Sequence, residues 1–146
     1  MADLRRLTIN NLGKDNVLLM RDGGVAAVGG NVTVKAGGYV TNNVTGLSGG
    51  LDLSASSSLT VDGHMKIRFD DAPFPATTHY WGLRWAGDHV DTLAILLDNG
   101  SIAVEDGPFL PVRWRGQASV YFSEPYTYIG FEPASVLFPG TLLLMR

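Results

Sequence analysis

Glycine doublets set the terms for the first half of this chain. Gly-Gly pairs at 23–24, 29–30, 37–38 and 49–50 cut the sequence into short runs, and an octet recurs twelve residues apart: Asn31-Val-Thr-Val-Lys-Ala-Gly-Gly38, then Asn43-Val-Thr-Gly-Leu-Ser-Gly-Gly50. Each doublet permits the positive φ that a tight change of direction needs. Runs this short bury little, so the segment either forms rungs of a narrow β-solenoid or packs against other copies of itself. Two visible copies are fewer than a repeat fold usually needs, which favours packing between chains.

The rest of the chain reads as strands and turns. No window of a dozen residues keeps apolar positions at helical spacing without a glycine, proline or β-branched interruption. Short strands are expected at 7–9 and 17–20, around a polar link. Asp62-Gly63 reads as the turn of a two-residue hairpin, with Leu59 and Val61 facing Met65, Ile67 and Phe69. A proline-bearing loop at 70–77 leads to a strand at 79–85, with Trp81, Leu83 and Trp85 on one face and Tyr80 and Arg84 on the other. Further hairpins are expected at 92–105 around Asp98-Asn-Gly100 and at 112–122 around Gly116-Gln117, then strands at 126–132 and 141–145. The expected fold is all-β: an extended glycine-rich β arm over 1–57, then an antiparallel sandwich or jelly roll over 58–146.

Composition removes several functions. The chain has no cysteine, so disulfides, thiolate metal sites and a cysteine nucleophile are excluded. A net charge of −3 gives no reason to bind nucleic acid nonspecifically. The longest apolar clusters, at 93–97 and 142–145, are too short to cross a bilayer, so no membrane partner is expected. The opening residues break their apolar positions with charge and do not read as a signal peptide, which makes the two Asn-Val-Thr triplets poor glycosylation sites.

Chemistry-bearing residues are sparse. Asp88-His-Val-Asp91 could supply one or two metal ligands, yet neighbouring side chains on a strand point to opposite faces. The carboxylates Asp70, Asp71, Asp88, Asp91, Glu105 and Asp106 mostly lie beside turns, where aspartate serves its own backbone. No phosphate loop, dinucleotide fingerprint or nucleophile elbow is present, so no cofactor is expected. Trp81, Trp85 and Trp114 with Tyr80, Tyr126 and Tyr128 could stack on sugar rings or simply fill a core.

The short Asp-Leu-Arg-Arg arm, the Gly-Gly-punctuated Asn-Val-Thr segment and the cysteine-free aromatic β half together resemble small bacteriophage virion proteins, of the capsid decoration (cement) or head and tail fibre kinds. The resemblance implies a homotrimer made in the host cytoplasm and located in the virion, whose arm clamps a shell of major capsid protein while a β domain projects outward. The leading expectation is therefore a noncatalytic structural oligomer. Leu4, Leu7 and Ile9 would contact the lattice, and Val32, Val34, Tyr39 and Val40 would lie between subunits. A lectin-like module using Tyr80, Trp85 or Trp114 is the alternative, and a metal-dependent β-barrel enzyme using His79, His89 and Asp91 the third.

Overall fold

The computed structural model describes residues 2–4, 7–9, 17–21, 23–71 and 78–132. Its strands come in sets of three. Ala2–Leu4 (β1), Leu7–Ile9 (β2) and Val17–Met20 (β3) precede Val25–Val28 (β4), Val32–Val34 (β5) and Tyr39–Val44 (β6), followed by Gly50–Leu53 (β7), Leu59–Val61 (β8) and His64–Phe69 (β9). Each of the first six strands pairs in parallel with the one three places further on: β1 with β4 and β4 with β7, β2 with β5 and β5 with β8, β3 with β6 and β6 with β9. A fourth turn places Tyr80–Ala86 (β10) on β7 and Ile102–Asp106 (β11) on β9, with the helix Val90–Asp98 (α1) between them in chain order. The result is a three-sided parallel β-solenoid of four coils. Ser119–Ser123 (β12) and Tyr126–Phe131 (β13) then form an antiparallel hairpin that joins β10.

The structural repeat differs from the visible one. Val25 lies beside Gly50 and Tyr39 beside His64, twenty-five residues apart in each case. Asn31-Val-Thr opens β5, whereas Asn43-Val-Thr closes β6 on the next side of the same coil. The two octets therefore do not stack on one another.

Alternation along β4, β5, β6, β8 and β9 turns every second side chain into the core. Val40, Met65 and Ile102 line up on one side, Val32 with Leu59 on a second, and Leu51, Leu83 and Ile129 on the third, and all are buried. Burying each such side chain stabilises the fold by roughly 1.5–3 kcal/mol, and rows continued through several coils make the small residues sufficient. Phe69, Tyr80, Trp114 and Phe131 add an aromatic cluster, with the Trp114 and Phe131 rings 4.9 Å apart.

These observations meet the all-β expectation and correct its details. The antiparallel sandwich or jelly roll over 58–146 does not form among the described residues: β8, β9, β10 and β11 all pair in parallel with earlier strands, and antiparallel ladders join only β10, β13 and β12. The glycine-rich segment is not an extended arm either, because it supplies strands to the second and third coils. Position 57/58 falls between β7 and β8, inside the third coil.

Asp62-Gly63 does not reverse the chain. Its amides donate to Val34 O of the coil before (2.7 and 3.0 Å), and His64 N–H donates to Gly38 O (3.0 Å), so β8 and β9 belong to different sheets. A Cβ on Gly63 would overlap the carbonyl oxygens of Gly38 and Lys35, so stacked corners require glycine there. The expected hairpin at 92–105 is instead α1 followed by β11, and 112–114 form a 3-10 turn. The link at 10–16, most of the 70–77 loop and the strand expected at 141–145 lie outside the described residues.

Candidate assembly surface and the outer aromatic cluster

The first coil ends all three sheets at once. Among the described residues, β1, β2 and β3 are the terminal strands of their sheets, each hydrogen-bonded to the second coil on one side and to no described strand on the other. One end of the solenoid thus presents three parallel strand edges, each a row of backbone donors and acceptors suited to pairing with added strands. Leu4, Leu7 and Ile9 lie on β1 and β2, and their side chains lie outside the described residues.

The expected subunit-contact residues divide. Val32, Val34 and Val40 are at most 1% exposed, stacked between coils of their own chain, so their apolar contacts are internal. Their alternation recorded a buried face correctly but not what buries it. Tyr39 does face outward, 48% exposed, with its ring stacked on His64 at 5.4 Å.

The expected sugar platform also lies inside. Tyr80, Trp85 and Trp114 are buried, Tyr80 and Trp114 in the aromatic cluster and Trp85 beneath the His89 ring at 3.8 Å. A shift of register between Trp81 and Leu83 accounts for Tyr80: this bulge at Gly82 turns Tyr80 into the core and leaves Trp81 beside Arg84. A Cβ at Gly82 would overlap Ile67 Cγ2 of the adjacent coil, so glycine is needed where the strand shifts.

A different set of aromatic residues packs on the outward side of this sheet, where its members cover one another: Trp81 and Tyr128 are buried, and His79, Tyr121 and Tyr126 half-buried. Asp52, Arg84, Tyr128 and Tyr121 stand in register across β7, β10, β13 and β12. Arg84 donates to Asp52 Oδ2 at 2.9 Å, and its guanidinium carbon lies 4.8 Å from the Trp81 ring and 4.5 Å from the Tyr126 ring. The ring contacts offset the unpaired state of the enclosed Arg84 Nε. His79 stacks on Tyr128 at 4.4 Å and shares a 2.8 Å hydrogen bond with the Tyr121 hydroxyl through Nδ1.

Ionisation follows these surroundings. Burial holds the Tyr80 and Tyr121 phenols well above the usual tyrosine range, helped by the Asp71 carboxylate at Tyr80 and by Tyr128 at Tyr121. Burial also raises Tyr128, against the opposing pull of Arg84, and the hydrogen bond to Asp52 raises Arg84 itself.

Of the residues in the enzyme reading, His89 and Asp91 border one hollow and His79 lies outside it. His79 is held by Tyr121, whereas His89 is stacked on Trp85 with Nε2 2.9 Å from Ala86 O, and Asp91 lies in the first turn of α1. Among the described residues, no three His, Asp or Glu side chains converge as a metal site would require. Most of the carboxylates serve their neighbours: Asp70 holds Arg68, Asp71 accepts from Gly46 N–H, Asp88 from Val90 N–H and Asp106 from Gly116 N–H, and Glu105 pairs with Lys66. No family model, curated protein or solved structure matches the chain.

Proposed function

We propose that the protein is a noncatalytic structural component of a virion, an oligomer that joins and stabilises a protein shell as a decoration or cement protein does. The observation that carries the reading is the solenoid end at which β1, β2 and β3 all leave an edge unpaired by the described residues. Edges of this kind extend by backbone pairing with little demand on side-chain identity, which suits attachment to a lattice. The virion setting rests on the likeness to phage decoration and fibre proteins, and a trimer is the stoichiometry that likeness implies.

Native mass spectrometry of the full chain should give an oligomer, with three copies as the expected mass. On assembly or shell binding, amides of Ala2–Leu4, Leu7–Ile9 and Val17–Met20 should slow in hydrogen exchange while those of β7 to β9 change little. A monodisperse monomer that binds its shell equally well after deletion of residues 1–21 would remove the proposal.

A further inference from the structure

The exterior of the solenoid is mostly short and polar: Thr33 and Thr60 on one side, Thr41 and Lys66 on another. The aromatic face of β10, β13 and β12 departs from this pattern, and beside it the surface dips. Ala27 on β4 and Ala86 at the end of β10 are too small to fill the space next to the Tyr126 ring. The depression so formed, about 240 Å³, is bordered by Asp52 and Ser54. Its wall thus combines Tyr126, the small or aliphatic residues Ala27, Val28 and Ala86, the Asp52 carboxylate and the Ser54 hydroxyl.

We propose that this depression binds a neutral pyranose unit of a glycan. The apolar C–H face of a pyranose packs on an aromatic ring and small aliphatic side chains, while its hydroxyls donate to acceptors at the edge. Asp52 accepts through the oxygen that Arg84 leaves open, and Ser54 Oγ, whose own hydrogen goes to Gly29 O (3.1 Å), can serve only as an acceptor. Charge selects the neutral sugar. Among the described residues lining the depression the one charged side chain, Asp52, is already paired with Arg84 through Oδ2, so they offer no surplus cation for an acidic sugar and no surplus anion for an amine. The rigid β7–β10–β13 ladder holds these groups before any ligand arrives, which limits the ordering cost of binding. This face lies along the side of the solenoid rather than at its edge end, so its test is independent of the assembly reading.

Saturation-transfer NMR on the full chain, with methyl glycosides of glucose, galactose, mannose and rhamnose and with methyl glucuronide, tests the site. At least one neutral glycoside should bind. Tyr126→Ala removes the ring from the wall, and Ala27→Leu fills the depression from an outward position that leaves the core untouched. Each should weaken that glycoside about tenfold, with the circular dichroism spectrum of Ala27→Leu unchanged. The proposal is overturned if no neutral glycoside binds, if the glucuronide alone binds, or if folded Ala27→Leu binds as tightly as the parent.

Discussion

Asn42 is the polar residue on which three coils meet. It is buried in β6, and its Nδ2 donates to Gly49 O (2.9 Å) and Gly82 O (2.7 Å), in the segments leading into the third coil and within the fourth. A Cβ on Gly50, whose φ is +120°, would overlap both Gly82 O and this amide, so glycine and asparagine are required together. Asn42→Ala leaves two carbonyls without their side-chain donor and should cost about 2–4 kcal/mol in urea denaturation. A loss under about 1 kcal/mol would show that water replaces the amide. The tyrosines make a second prediction. Tyr80 and Tyr121 are held protonated in the fold, while unfolded tyrosine ionises near pH 10. The unfolded chain thus gives up these protons first, so their contribution is intact below about pH 10 and is lost as pH rises beyond it. The denaturation midpoint should fall above that pH, and Tyr121→Phe should make the fall shallower. The need for glycine at 50 was legible in the sequence, but the role of Asn42 was not: its partners lie 7 and 40 residues away, and no motif joins them.

Among the elements, α1 is the longest that the sequence reading missed. Val90, Leu93, Ala94 and Leu97 do fall at i, i+3, i+4 and i+7, but the β-branched residues among them and the following Asp-Asn-Gly favoured a hairpin. Both structures use that tripeptide in the same way. Gly100, at φ +82°, donates to Leu97 O while Asn99 donates to Ile95 O, closing a helix where a hairpin would also place glycine at positive φ. Leu93 anchors the helix in the core with no exposure, whereas Ile95 is 63% exposed. Leu93→Ala should therefore cost about 2–5 kcal/mol and Ile95→Ala under about 0.5 kcal/mol by thermal or urea unfolding. Equal losses would mean that the helix is not seated by Leu93. The Asp62-Gly63 corner was misread for a related reason. A short turn between two alternating strands looks alike whether the chain reverses or passes to the next face.

In the molecule as a whole, coils touch mainly their neighbours, so stability is passed along the stack. Among the described residues, the second and third coils are paired on both sides through most of their strands, whereas the first is paired on one. In the isolated protein, hydrogen exchange should be slowest in β6, β7 and β9 and fastest in β1 and β2. Uniform protection across all coils would contradict this ordering. The sequence alone determined that the chain is built mainly of strands, where it changes direction, and which residues of β4, β5, β6, β8 and β9 alternate between a buried and an open face. Those properties follow from glycine's backbone freedom and from side-chain periodicity, both local. The tertiary structure alone decided that the strands stack in parallel, that Val32, Val34 and Val40 meet their own chain, and that Tyr80, Trp85 and Trp114 are enclosed. Partners about a coil apart share no sequence signature, since strand pairing is made by backbone groups that every residue but proline carries.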